Sequence, residues 1–186
     1  MKILFLHGLE GSPSGEKATH LCHHYDAVVP ALDVSEFKVL YERHGGMLDD
    51  IFYLEGVQES LRKPLQQARD TIIIDKPDLV IGSSFGGALL AILIVEGTWD
   101  GPSLFLASAA KKLTGLNRVT QTPGNGLHWI HGAQDEIIPC VDSVTAALAS
   151  QGTLEIVQDD HRLSGIIKSG KLDDAIARLT GKREKT

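Results

Sequence analysis

The sequence predicts a three-layer α/β domain: a mainly parallel sheet of about six strands with helices on both faces. Two observations carry the prediction. Short aliphatic runs, apolar at consecutive positions, recur along the whole chain, as expected of strands covered on both faces. Between them lie longer stretches whose apolar residues repeat at helical spacing. Such alternation implies parallel strands joined by right-handed crossovers, with ligands bound beyond the carboxyl ends of the strands. The chain has 186 residues and reads as one domain, 1–186, with a disordered tail at about 181–186. A chain of that size buries about 70% of its unfolded surface, enough for a core without metal or disulfide staples.

The strand runs are Ile3–Leu6, Ala27–Val29, Leu79–Ile81, Leu104–Ala107, Leu127–Ile130 and Leu154–Val157. The first helix signal starts from Ser12 as N-cap and Pro13 as first helical residue. Its apolar face is Ala18, Leu21, Cys22 and Tyr25, so Cys22 reads as an inert core thiol. Val57, Leu61, Leu65, Ala68 and Ile72 form a second stripe, kinked at Pro64 and stopped before Pro77. Ala88, Leu89, Ile92 and Val95 form a third, ended by Gly97. Val144 and Leu148 mark a fourth, stopped at Gly152, and Leu172, Ile176 and Leu179 a fifth, stopped at Gly181. Residues 31–55 are mixed, and 111–126 read as a long polar loop.

Composition excludes several functions. With 18 basic against 24 acidic residues the net charge is −6, which argues against a nucleic-acid surface. Cys22 and Cys140 alone make neither a disulfide framework nor a zinc pattern, and a reducing compartment follows. No run approaches 18 apolar residues, so no membrane span is expected. The apolar run before His7 is only four residues, Ile3–Leu6, too short for a signal peptide, so the cytoplasm is the expected location. His20, His23 and His24 have a metal-compatible spacing but lie on the polar face of their helix. No metal or other cofactor is expected. Oligomeric state is not legible.

The chemistry-bearing stretch is Gly82-Ser83-Ser84-Phe85-Gly86-Gly87. It follows Asp-Leu-Val-Ile and runs into Ala-Leu-Leu-Ala-Ile-Leu, a strand–turn–helix setting. A sharp turn there pushes the central Ser84 hydroxyl out over the sheet edge and squeezes together the residues two before and two after it. Gly82 and Gly86 meet that demand. The competing readings are a packing turn and a phosphate loop, but neither glycine-rich phosphate motif is present.

A serine hydroxyl needs a base, and the base needs an orienting acid. On such sheets the order is Ser, then Asp or Glu, then His. Of eight histidines only His161 lies after the acids near residue 135. Asp135 is the acid candidate, in the turn after a strand and before Pro139, with Glu136 its rival. Asp159 and Asp160 compete too, but adjacent residues hold an imidazole poorly. His128 and His131 on the preceding strand read as packing histidines. Acyl transfer also needs donors for developing negative charge. The backbone N–H of Phe85 supplies one, and Leu9 in the loop His7-Gly8-Leu9-Glu10-Gly11-Ser12-Pro13 the other.

Four stretches in this order resemble the α/β-hydrolase superfamily: His7-Gly8, Gly82–Gly86, His131-Gly132-Ala133-Gln134-Asp135-Glu136-Ile137-Ile138-Pro139, and Asp160-His161. Within it the chain is similar to the small, lidless bacterial serine esterases of the YqiA-like group, with their Leu-His-Gly opening and short Ser/Pro turn. The likeness spans residues 2 to about 180. It implies a three-layer α/β-hydrolase fold with minimal or no lid. It implies Ser84 as nucleophile, His161 as base, Asp135 as acid, and Leu9 and Phe85 as oxyanion donors. The implied activity is cofactor-free cleavage of a small-molecule ester or thioester. Two departures stand out. Segment 31–55 is longer than in compact relatives, and the usual Gly-x-His reads Asp159-Asp160-His161.

Two other functions fit the same residues: a non-catalytic binding protein on this fold, and a small serine peptidase. Substrate size follows from what remains to roof the site. Only 31–55 and the polar 111–126 are free to do so. The expectation is therefore a shallow, partly solvated pocket that prefers acyl groups of about two to four carbons.

Overall fold

The computed structural model describes residues 1–48, 51–116, 118–119 and 126–181. In chain order these form β1 (Lys2–Leu6), α1 (Glu16–His24), β2 (Asp26–Val28), α2 (Ser35–Arg43), a 3₁₀ turn (Ile51–Tyr53), α3 (Val57–Ser60), α4 (Arg62–Asp75), β3 (Leu79–Ser83) and α5 (Phe85–Val95). There follow β4 (Ser103–Leu106), α6 (Ala110–Thr114), β5 (Leu127–Gly132), α7 (Cys140–Ala149), β6 (Thr153–Val157), α8 (Gly165–Lys168) and α9 (Lys171–Thr180). The strands make one six-stranded sheet in the order β2-β1-β3-β4-β5-β6, parallel at every pairing. All six predicted runs are strands.

The consecutive apolar residues divide between two cores, one on each face. Leu4, Leu6, Val80, Phe105 and Trp129 face a core completed by α2, α4 and α5. Their neighbours Ile3, Phe5, Leu79, Ile81, Leu104 and Ile130 face the other, completed by α1 and α9. Trp129 is a core residue, stacked on Phe105 with ring centroids 4.7 Å apart. Helix α5 is buried almost all round, because it lies between the sheet and the outer helices. The order reverses at β1, which has β2 on one side and β3 on the other. Such a reversal opens a crevice at the carboxyl ends of the flanking strands.

Several local expectations are corrected. Ser12 does not cap α1: Ser12–Gly15 close a tight turn, with Gly15 N–H on the Ser12 carbonyl at 3.0 Å. Pro13 takes the second turn position, and the helix starts only at Glu16, without a side-chain cap. Cys22 is exposed, not core, because the short helix buries only Ala18 and Leu21. Pro64 does not kink α4. It sits in the first turn, where its missing N–H costs no helical bond. On α7 the buried face is Asp142, Ser143, Ala146 and Ala147, while Leu148 is exposed. Polar partners turn that face inward: Lys111 pairs with Asp142 at 2.7 Å and His131 meets Ser143. Val95, at the end of α5, is exposed.

The mixed segment 31–55 builds α2 and the 3₁₀ turn, and the expected loop 111–126 begins with helix α6. Asn117 and 120–125 of that loop lie outside the described residues, as do 182–186 of the expected disordered tail. Among the described residues no helix is long and apolar enough to cross a membrane.

Among the described glycines, Gly86 at the start of α5 leaves the least room for a side chain. A Cβ on Gly86 would lie 2.0 Å from the Leu6 carbonyl oxygen, backbone against backbone. Gly86→Ala is expected to lower unfolding free energy by about 3 kcal/mol or more, at the upper end of overpacking costs. Gly97→Ala is the control. It has no neighbour within 4 Å but a positive φ, so a cost of about 1 kcal/mol is expected. Urea titration of both variants checks the difference.

Candidate active site

The site sits at the carboxyl edge of the sheet, where β1, β3, β5 and β6 end. Ser84 occupies the turn from β3 into α5 with φ 50° and ψ −112°, a conformation that side chains other than glycine rarely adopt. Its backbone is held on both sides. The Ser84 N–H donates to Leu106 O at 2.8 Å, and its carbonyl accepts from Gly87, Ala88 and Ala109. A Cβ on Gly82 would lie 2.6 Å from Gly86 O, so the glycines allow the turn to close. The strained turn expected from the sequence at Ser84 is present.

His161 stands after β6 and lies between serine and acid. Ser84 Oγ is 3.0 Å from His161 Nε2, and His161 Nδ1 is 2.7 Å from Asp135 Oδ2. A carboxylate can only accept, so Nδ1 carries the proton and Nε2 is free to accept from the serine hydroxyl. The His161 side chain is 14% exposed and that of Asp135 fully buried. Ser84, His161 and Asp135, the three residues singled out in the sequence, are therefore brought into one hydrogen-bonded chain.

Asp135 is well supplied with donors. Its Oδ1 accepts from the N–H groups of Ile137 and Ile138 at 2.9 and 2.8 Å. Burial alone would raise its pKa. The donors from His131, His161 and Ile138 outweigh it and hold the carboxyl well below the usual carboxylate range. Glu136 is exposed.

His131 has more than the packing role read from the sequence. It is fully buried on β5, and its Nε2 lies 3.0 Å from Ile138 O and 3.2 Å from Asp135 Oδ2. Both neighbours are acceptors, so Nε2 bears the proton, and Nδ1 accepts from Ser143 Oγ at 2.7 Å. A second imidazole thus abuts the same carboxylate oxygen that orients His161. Only its spacing, four residues before Asp135, hinted at this. His128 is a packing histidine: its Nδ1 meets Thr153 Oγ1 at 2.5 Å, and burial lowers its pKa.

Asp159 and Asp160 build the base loop. Asp159 accepts from Asp160 N–H and Gly165 N–H, at 2.9 and 2.7 Å, and Asp160 from Arg162 N–H at 2.8 Å. These carboxylate-closed turns hold the loop that carries His161. Helix α1 fastens the loop from outside. Lys17 Nζ donates to Arg162 O at 2.5 Å, and Ser164 Oγ to Glu16 at 2.8 Å.

The loop after β1 lies directly over Ser84: a Cβ on Gly8 would be 3.3 Å from Ser84 Cβ. The Leu9 N–H donates to no backbone carbonyl among the described residues. Phe85 opens α5, and a first-turn N–H has no partner within its helix. The loop is fixed by His7. Leu32 N–H donates to its Nε2 at 3.3 Å, so Nδ1 carries the proton and donates to Gly8 O at 2.8 Å.

These groups open into a cavity of about 460 Å³, within the usual range for small-molecule sites. Phe37 and Tyr41 of α2, Leu48, and Leu113 of α6 line one side. Segment 31–55, one of the two stretches expected to be free to roof the site, thus supplies an apolar wall. Among the described residues no group of three or more His, Cys, Asp or Glu side chains could hold a metal ion. His20 instead binds Asp173 at 2.8 Å.

No family model matches the chain, and no curated protein matches it. Solved structures do. A protein assigned to the alpha/beta hydrolase superfamily from Xanthomonas campestris pv. campestris superposes with a TM-score of 0.68 at 23% identity, over 97% of this chain and 98% of that one. An alpha-beta serine hydrolase homologue from Coxiella burnetii superposes with a TM-score of 0.65 at 12% identity, over 96% and 85%. The esterase domain of a Rhodothermus marinus protein gives 0.58 at 17% identity, over 95% and 85%. The chain has the α/β-hydrolase fold.

Proposed function

We propose that the protein is a serine hydrolase that cleaves carboxylic esters or thioesters of small acyl groups through an acyl-enzyme. The observation that carries this is the unbroken hydrogen-bonded chain from Ser84 Oγ through His161 to the buried Asp135. His161 Nε2 takes the hydroxyl proton as Ser84 Oγ attacks the carbonyl carbon. The carbonyl oxygen becomes an oxyanion, met by the N–H groups of Leu9 and Phe85. Collapse expels the alcohol or thiol, which receives the proton from His161. Water then enters, gives its proton to His161 and releases the acid from Ser84. No cofactor takes part in these steps. A non-catalytic binding role has no observation of its own to favour it, and neither has a peptidase. The two cysteines are free thiols, which suits the cytoplasm as the place of action.

Ser84→Ala is expected to abolish ester hydrolysis and fluorophosphonate labelling, by about 10⁶ in rate for a nucleophile acting within a triad. Ser83→Ala, one residue away, keeps both. Equal losses in the two variants, or label on another residue, would overturn the assignment.

The pH profile separates the groups. Asp135 is held below the ordinary carboxylate range and stays ionised through the working range, so any acid limb reports an imidazole. Log kcat/KM should rise with pH along one limb, because only neutral imidazole accepts the serine proton. His161→Ala removes the limb. His131→Gln lowers the rate but keeps it. A limb lost in His131→Gln and kept in His161→Ala would reverse the roles.

A series of nitrophenyl esters tests the acyl side. Each methylene that reaches the wall of Phe37, Tyr41 and Leu113 adds about 0.8 kcal/mol, or up to roughly fourfold in kcat/KM. The rate should rise from acetate to butyrate and fall beyond about eight carbons, since a cavity of about 460 Å³ must hold both halves of the substrate. A steady climb to palmitate would contradict the small-acyl reading.

A further inference from the structure

The cavity has two chemically different ends, on opposite faces of the sheet. Phe37, Leu113 and Phe85 belong to the core on one face. Helix α1 and the loop after His161 pack on the other, through Ala18, Leu21, Leu163 and Ile166. The cavity runs from the first face to the second, with Ser84 and His161 between.

Resting on the serine-hydrolase reading, proton transfer fixes which half of the substrate lies where. The imidazole that accepts the Ser84 proton must return it to the departing oxygen or sulfur. That atom must come within hydrogen-bond reach of His161 Nε2. The leaving group therefore extends toward His161, over the base loop and the first turn of α1. The acyl chain points the other way, toward Phe37, Tyr41 and Leu113.

The leaving-group end is polar and mixed in charge. Arg162, beside the base, is exposed, and its guanidinium has no hydrogen bond or ion pair among the described residues. Glu16 lines the same end, with Oε2 accepting from Ser164 and Oε1 open. Lys17 is tied to the Arg162 carbonyl, and burial pulls its pKa down. Behind them Asp159 and Asp160 are closed onto backbone N–H groups. Cations at Lys17 and Arg162 thus stand against carboxylates at Glu16, Asp159 and Asp160. Two cations against three carboxylates leave no net positive charge to draw an anion, and a quaternary ammonium offers neither a donor for Glu16 nor an acceptor for Arg162. A forked donor and a carboxylate oxygen without a hydrogen-bond partner among the described residues, both lining this end, do suit adjacent hydroxyls, which donate and accept at once. We infer that the leaving group is a neutral polyhydroxylated alcohol, glycerol- or sugar-like, held between Arg162 and Glu16, while the acyl group is small and apolar.

The test uses butyrate esters of one acyl group with four alcohols: glycerol, n-propanol, choline and glycerol phosphate. Each kcat/KM is divided by the rate of the same ester with hydroxide, which removes intrinsic reactivity. The glycerol ester is expected to exceed the propyl ester by at least tenfold, and both charged esters to fall below it. Arg162→Met and Glu16→Leu should each shrink the glycerol-to-propyl ratio toward one. All four esters form the same acyl-enzyme, so its breakdown rate, followed in a burst experiment, should not depend on the alcohol. Corrected rates that are equal for all alcohols, or highest for a charged one, would overturn the inference while leaving the hydrolase reading intact. Failure to hydrolyse any ester, together with no fluorophosphonate labelling, would overturn the hydrolase reading itself.

Discussion

The site depends on how closely the first turn of α5 lies against the ends of β1 and β3. Glycines at 82, 86 and 87 leave room for backbone where any side chain would meet Leu6, Gly86 or Ser108 within 2.6 Å. That approach forces Ser84 into its positive-φ turn, at a cost of about 1–3 kcal/mol. The cost is offset by the hydrogen bond to Leu106 and by burial of nearly all of α5. The same approach sets the Phe85 N–H beside the loop of Gly8 and Leu9. The strained backbone of Ser84 and the close approach of the loop after β1 are thus two results of one packing constraint.

Electrostatics completes what packing begins. A buried carboxylate is stable only if its lone pairs are met. Asp135 has two backbone N–H groups on one oxygen and two imidazoles at the other. Its negative charge persists inside the protein and keeps the His161 ring in one tautomer and one orientation. The base loop is fixed by an equivalent device, in which Asp159 and Asp160 cap backbone N–H groups from within. Carboxylates therefore position both the His161 ring and the loop that carries it.

Much of this was legible in the sequence, for identifiable reasons. The strands are covered on both faces, so their apolar runs are continuous and mark them regardless of register. Ser84, Asp135 and His161 follow from chain order and from small residues at a turn. Less was legible where a side chain's role depends on a distant partner. Ser12 has the chemistry of a helix cap, but Pro13 and Gly15 close a turn that delays the helix. Leu148 looks like a core residue, yet Lys111 and His131 turn the polar side of α7 inward. Segment 31–55 has no strong period. It acquires structure by packing on Phe85 and Leu113, which are distant in sequence. His131 was legible as buried but not as a neighbour of the carboxylate, because that contact arises from the turn at Asp135.

The sheet also acts as a partition. Residues 35–48 and α6 bound one end of the cavity, whereas α1 and residues 159–164 bound the other, and Ser84 belongs to neither. Each wall rests on its own core. On the hydrolase reading proposed above, the two halves of a substrate are read by separate pieces of chain, and selectivity for acid and for alcohol can drift independently, as two inherited traits rather than one.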